Sequence, residues 1–163
     1  MELKFNLFEQ QFNIADENIT DRLNREIEWE KLTRCISEFE ALANILRRQL
    51  ITIPATRKRK SDINKLSFQR IGKAQSCLSN WFDIDLFKNI SEADKIFLNI
   101  MFNRRHIFTH NGGRIDQEYI DNTDDKTVKV NQVIKFSSRE IKRLIPLVRL
   151  CAKNFIEDYE SIN

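Results

Sequence analysis

Residues 91–113 read SEADKIFLNIMFNRRHIFTHNGG, and the fold class follows from how this stretch starts, repeats and stops. Ser91 with Asp94 three positions on has the form of a capping box, in which side chains satisfy the amides left open at a helix start. Ala93, Ile96, Phe97, Ile100 and Met101 then recur at three- and four-residue steps, the period of one helix face. Where that face should continue, Arg104 and Arg105 interrupt it before Ile107 and Phe108 resume it. Asn111, Gly112 and Gly113 close the segment, because glycine tolerates the left-handed conformation needed just past a helix C-terminus. The stretch predicts a helix, the third in the chain, with two cations set into its apolar stripe.

The same reading extends in both directions. Over 16–53, Ile19, Leu23, Ile27, Leu32, Ile36, Phe39, Ala43, Leu46 and Leu50 keep helical spacing, predicting one long amphipathic helix that stops near Pro54. Residues 55–61 read as a basic loop. A second helix is expected over 63–81, with Leu66, Ile71, Ala74 and Leu78 inward and Gly72 as a weak or close-packing point, followed by a link over 82–89. Beyond the third helix the pattern changes. Val128-Lys129-Val130 and Ile134-Lys135-Phe136 alternate around Asp124, Asp125 and Lys126, predicting a small β-hairpin or an extended excursion within 115–136. Ser137 with Glu140 makes a second capping box and opens a last helix carrying Ile141, Leu144, Ile145, Val148, Cys151, Ala152, Phe155, Ile156 and Tyr159, with Pro146 as a possible kink. The expected architecture is an all-α, four-helix up-down bundle, with that hairpin or extended insertion between helices three and four.

Composition agrees. With 163 residues the chain suits one hydrophobic core, so a single domain over 1–163 is expected. Only 3 glycines and 2 prolines leave little turn chemistry for a many-stranded fold. Lys plus Arg number 27 against 24 Asp plus Glu, so the net charge alone does not argue for nucleic acid; its placement matters. Cys35, Cys77 and Cys151 are far apart, include no CxxC pair and sit among apolar residues, so they read as buried thiols. Charged and polar residues interrupt the first twelve positions, and no window approaches a membrane span, so no signal peptide, no membrane association and a reducing cytoplasmic location are expected.

One segment concentrates catalytic residue types. Residues 103–113 hold both histidines of the chain, His106 and His110, beside Arg104 and Arg105. On a helix the two histidines share a face, and the arginines lie within about one turn of them. Imidazoles beside a guanidinium suit RNA cleavage by transesterification: histidine exchanges protons near neutrality, and arginine stabilises charge on the pentacovalent phosphate. That chemistry needs neither metal nor cofactor, and none is expected. Two other readings stand beside it. Cations near a helix C-terminus are favoured by the macrodipole whatever their function. Histidines four apart can also ligate a metal, although no cysteine is near and Asp116 lies beyond the glycines.

Arg105-His106-Ile107-Phe108-Thr109-His110 resembles the motif of the HEPN superfamily, an arginine followed after four to six residues by histidine, with a polar residue directly after the arginine. In that resemblance Arg105 and His110 are the motif pair and His106 fills the polar place. The longer pattern RRHxxxHNGGxxDxxY over 104–119 is similar to one prokaryotic HEPN-like family, and the likeness spans roughly 68–159. It implies a helical bundle that dimerises so that two motifs form one composite RNA-cutting site, in toxins, anti-phage proteins or RNA-guided effectors. Arg105 and His110 would then be catalytic, Arg104 and His106 would assist, and Asn111 and Gly112 would shape the helix end. The implied partners are RNA, a second copy of the chain, and an antitoxin or larger defence complex. Many members of the superfamily are inactive binding or dimerisation modules, which is the alternative.

The run Arg57-Lys58-Arg59-Lys60, with Lys65, Arg70 and Lys73 downstream, reads either as a phosphate-binding surface for RNA or as a solvated loop. Trp29, Phe39, Phe68, Trp81 and Phe155 lie in apolar patterns and are expected to pack rather than stack on bases. Three structural outcomes separate the functions. An enzyme would hold Arg105 and His110 accessible in a dimer cleft, and a binding module would bury Arg105 in an internal ion pair. A purely structural domain would leave the Arg-His face exposed and unpaired.

Overall fold

The computed structural model describes residues 17–53 and 56–162. The segment before them, Pro54, Ala55 and the side chain of Ile19 lie outside the described residues, and with them the expectations about a signal peptide and a proline stop. Six helices follow one another: α1 Glu17–Leu50, α2 Arg57–Asn64, α3 Ile71–Phe82, α4 Glu92–Asn111, α5 Gln117–Thr123 and α6 Ser138–Ile162. No strand forms among the described residues. The all-α expectation is met by the six helices of the described residues.

α1 buries Leu32, Ile36, Phe39, Ala43, Leu46 and Leu50 at the expected three- and four-residue steps, and it packs most extensively along α6. α6 answers with Ile141, Leu144, Val148, Cys151 and Phe155 and continues through Pro146. At the centre, Phe39 meets Phe68 and Phe102 edge-on, with ring centroids 6.3 and 5.8 Å apart. Phe68 reaches Phe155 at 5.9 Å. These rings tie α1, α4, α6 and the chain before α3 into one core, each worth roughly 1.5–3 kcal/mol by burial. Ser137 makes the full capping box, and Ser91 caps its helix through its hydroxyl, which also donates to Asp94 Oδ2 at 2.7 Å. Ser91 Oγ accepts from the Asp94 amide at 3.2 Å, while Ser137 Oγ accepts from the Glu140 amide at 3.2 Å and Glu140 Oε2 accepts from the Ser137 amide at 2.9 Å.

Two sequence expectations are corrected. The basic loop is helical from Arg57 onward, because Thr56 Oγ1 accepts from the Arg59 amide at 3.2 Å and supplies a cap. The expected helix over 63–81 is broken: α2 ends at Asn64 and α3 begins at Ile71. Ser67 Oγ accepts from the Gln69 amide at 3.3 Å inside that break, offering the backbone a turn in place of a helix. Ile63, Leu66, Ile71, Ala74 and Leu78 are nevertheless all buried, so the apolar spacing survived a break that it could not reveal.

Of the two forms expected within 115–136, hairpin or extended excursion, the chain takes the extended one, preceded by a short helix. Asp116 Oδ1 accepts from the Tyr119 amide at 2.8 Å and starts the short α5. The remaining chain runs extended, with a single antiparallel bridge between Arg114 and Val133. Alternation there reflects Ile134 and Phe136 packing on the core while Val130 and Val133 stay exposed. All three cysteines are free thiols. Cys151 is buried, and burial pushes its thiol up to about 12; Cys35 and Cys77 are only half-buried, less than expected. Among the described residues no helix is long and apolar enough to cross a membrane.

Candidate functional site

Successive helical residues point about 100° apart, and this rotation separates Arg104, Arg105 and His106 into three surroundings. Arg104 faces α5 and α6. Its Nη2 donates to Asp125 Oδ2 at 2.9 Å, its Nη1 to Glu140 Oε1 at 2.8 Å and its Nε to the Tyr119 hydroxyl at 3.2 Å. Side-chain exposure is 8% for Arg104 and 1% for Asp125. Burial raises the Asp125 pKa, but hydrogen bonds from Thr127, Tyr119 and Arg104 outweigh it and hold the carboxyl at about 2. Four of the guanidinium's five N–H groups are engaged in this network, the fourth with Thr127 Oγ1 at 3.4 Å, which holds Arg104 against α5 and α6.

Arg105 faces α1. Its Nη1 and Nη2 each donate to one Glu40 carboxylate oxygen at 3.0 Å, and Nη2 also approaches Ser37 Oγ at 3.4 Å. Both partners are 15% exposed. Burial pushes the Glu40 carboxyl up from its ordinary value, against the pull of Arg105. Arg105 Nε is buried without a hydrogen-bond partner. The pair therefore carries a desolvation cost of the kind that buried ion pairs often fail to recover.

His106 and His110 do share a face, with ring centroids 4.6 Å apart and planes at 50°. His106 is half-buried, with Nδ1 unpartnered, and His110 is exposed. Burial lowers the pKa of His106, and the charges of His110, Arg70 and Arg105 lower it further while Glu118 opposes them. The cation that joins the histidines is Arg70. Arg70 and His106 together line two adjoining cavities, one of about 470 Å³ toward α2 and α3 and one of about 300 Å³ toward α5 that also includes His110. Arg70 is ion-paired to Glu118 in the smaller cavity. Arg70 stands thirty-six positions before His106, and its only signal in the sequence is its place among the cations that follow the basic run.

The helix-end explanation fits His110, which lies in the last turn of α4, but not Arg104, Arg105 or His106, which precede that turn. It fails outright for Arg57, Lys58, Arg59 and Lys60. They occupy the first turn of α2 without an acidic neighbour there, where the macrodipole disfavours cations. Arg57, Lys58 and Lys60 are exposed, and the Arg59 guanidinium lies 5.0 Å from the centre of the Trp81 ring. Trp81 packs against the core as expected and also walls the larger cavity. Trp29 does pack, stacked on Phe108 at 4.0 Å.

Gly112 and Gly113 close α4 at φ of +58° and +77°, and a Cβ on Gly113 would stand 2.7 Å from the Phe108 ring. Asn111 Nδ2 donates to the Arg114 carbonyl at 2.8 Å, so Asn111 and Gly112 shape the helix end as expected. Among the described residues no three His, Cys, Asp or Glu side chains come together as a metal site would require. No protein-family model, no curated protein and no solved structure matches this chain.

Proposed function

We propose that the chain is a HEPN-like endoribonuclease that cleaves RNA by metal-independent transesterification, with α1, α3, α4 and α6 as its four principal helices. The observation that carries this reading is the His106–His110 ring contact beside Arg70, where two cavities adjoin. In the reaction one imidazole takes the proton of the ribose 2′-hydroxyl, whose oxygen forms a new bond to phosphorus. The bond from phosphorus to the 5′ oxygen breaks, and the second imidazole protonates that oxygen. Products are a 2′,3′-cyclic phosphate and a 5′-hydroxyl. The lowered pKa of His106 favours the neutral imidazole that a base requires, which leaves His110 as the acid. Arg70 is the cation placed to bind phosphate once Glu118 yields. Arg105, engaged by Glu40, positions α4 on α1.

A homodimer that brings two motif faces together is part of the proposal, as is a toxin or anti-phage setting with an antitoxin or larger complex as partner; both rest on the family resemblance. A second reading, a catalytically inactive module that binds RNA, a nucleotide or a protein, is favoured by the Arg105–Glu40 pair, the arrangement expected of a binding module. The arrangement expected of an enzyme, Arg105 and His110 both accessible in a dimer cleft, is matched at His110 alone. The test is cleavage of a mixed RNA pool in excess EDTA by the wild type, His106→Ala and His110→Ala. Cutting by the wild type alone, with cyclic phosphate ends, supports the nuclease. A folded, dimeric wild type that leaves the pool intact would overturn it in favour of the binding module.

A further inference from the structure

We infer that the cavity of about 470 Å³ beside His106 is a subsite for one unpaired RNA nucleotide, with its base against Trp81 and its phosphate on Arg70 and Lys73. This rests on the reading of the site as one that handles RNA. The volume lies in the range of about 300–1,000 Å³ that small organic ligands occupy, and the walls divide by chemistry. Trp81 offers an aromatic surface, and the Arg59 guanidinium already lies over its ring at 5.0 Å. A planar base can stack on the indole, as unpaired bases do on aromatic side chains, with the Arg59 guanidinium as a ring neighbour that does not itself line the cavity.

Gln69 and Asp62 line the same cavity and carry the donors and acceptors that read a base edge. Lys73 and Arg70 line it as cations, and Arg70 is near enough to His106 to act on its charge. Arg59 and Lys73 both sit in the first turns of their helices, α2 and α3, where no acid accompanies them. The dipole does not explain cations there, and an anionic ligand does. A base already paired and stacked in a duplex cannot enter such a cavity, so the subsite selects single-stranded RNA. A nucleotide seated in it would place its adjoining phosphodiester at His106, which lines both cavities.

The test is fluorescence anisotropy with a short, labelled 2′-O-methyl oligonucleotide, which lacks the attacking hydroxyl and is not consumed. Trp81→Ala is expected to weaken binding of the unpaired probe about tenfold. Lys73→Glu should weaken it and flatten its salt dependence, while Lys153→Glu, an exposed charge change on α6, serves as the control. The same probe in duplex form should bind at least about tenfold more weakly than the single strand. A folded Trp81→Ala variant with wild-type affinity, or equal affinity for duplex and single strand, overturns the subsite. Should Trp81→Ala fail to fold, quenching of Trp81 emission by the probe in a Trp29→Phe background decides instead, and absence of quenching overturns it. Quenching without cleavage of unmodified RNA would keep the subsite and sink the nuclease. Cleavage with Trp81 unresponsive would do the reverse.

Discussion

Replacing Arg104 with methionine separates a structural arginine from a catalytic one. The substitution keeps an unbranched side chain but removes the guanidinium that pairs with Asp125 and Glu140. Asp125, 1% exposed, would be left as a buried charge without its cation. Breaking a buried pair by removing one partner costs about 3–5 kcal/mol, a large share of the roughly 5–15 kcal/mol that holds a domain together. At about 2–4 °C per kcal/mol for a domain near this size, the melting temperature should fall by roughly 6–20 °C. Thermal unfolding followed by circular dichroism measures this directly. The pH dependence gives a second reading. Asp125 is held below its ordinary 3.8, at about 2, so its contribution is full above 3.8 and is lost as pH falls through about 2. The gap between wild type and Arg104→Met should therefore be widest near neutrality and close in strong acid. A variant with wild-type stability but no RNA cleavage would refute the assignment and return Arg104 to the chemistry.

Three further outcomes are expected. Glu40→Gln releases Arg105 from its bidentate partner; if that guanidinium can reach phosphate, the salt dependence of RNA binding steepens by about 0.7 in log–log slope, one contact on a single strand, and an unchanged slope would mark Arg105 as purely structural. Lys58→Glu and Lys60→Glu replace cations that oppose the α2 dipole, so each should raise stability by a few tenths of a kcal/mol, ~0.3–1 at most, while weakening RNA binding; melts and anisotropy on one preparation would show whether the two effects oppose each other. His106 has a lowered pKa in the fold, so the unfolded chain binds more protons as pH falls through the ordinary 6.5, and stability must drop there; urea titrations above and below that value should show a decline that His106→Gln removes.

The helices were legible where local signals and apolar period agreed. Ser91 and Ser137 opened α4 and α6 where their capping boxes predicted, and Gly112 ended α4, because each of these signals is a short-range hydrogen-bond or φ requirement written in adjacent residues. The break between α2 and α3 was not legible. Leu66 and Ile71 remain inward on either side of it, and the turn depends on one Ser67 hydroxyl whose choice of partner the spacing does not determine. The missed α5 has the same origin. In the sequence Asp116 stands out only as the carboxylate nearest the histidines, too far beyond the glycines to join them on a metal, whereas its effect is to cap the next seven residues.

The candidate site shows how a linear motif can join residues with unlike tasks. Arg104, Asp116 and Tyr119 are fixed points of the RRHxxxHNGGxxDxxY pattern, and all three are engaged in holding the end of α4 to α5. Gly112 and Gly113 are there because the backbone turns left-handed, and at Gly113 Phe108 also leaves no room for a Cβ. Once these are set aside, His106 and His110 still line a cavity together with Asn111, and the cation that lines it with them, Arg70, comes from another part of the chain. Helical rotation explains the division: neighbours in sequence diverge by about 100°, so a guanidinium adjacent to a histidine in the chain does not accompany it in space. A functional face on a helix has to be sought at i and i+4 on the helix and, across the groove, on whatever the fold brings opposite. Here that is the start of α3, which is why mutating Arg70 should report on phosphate binding, whereas mutating Arg104 should report on folding.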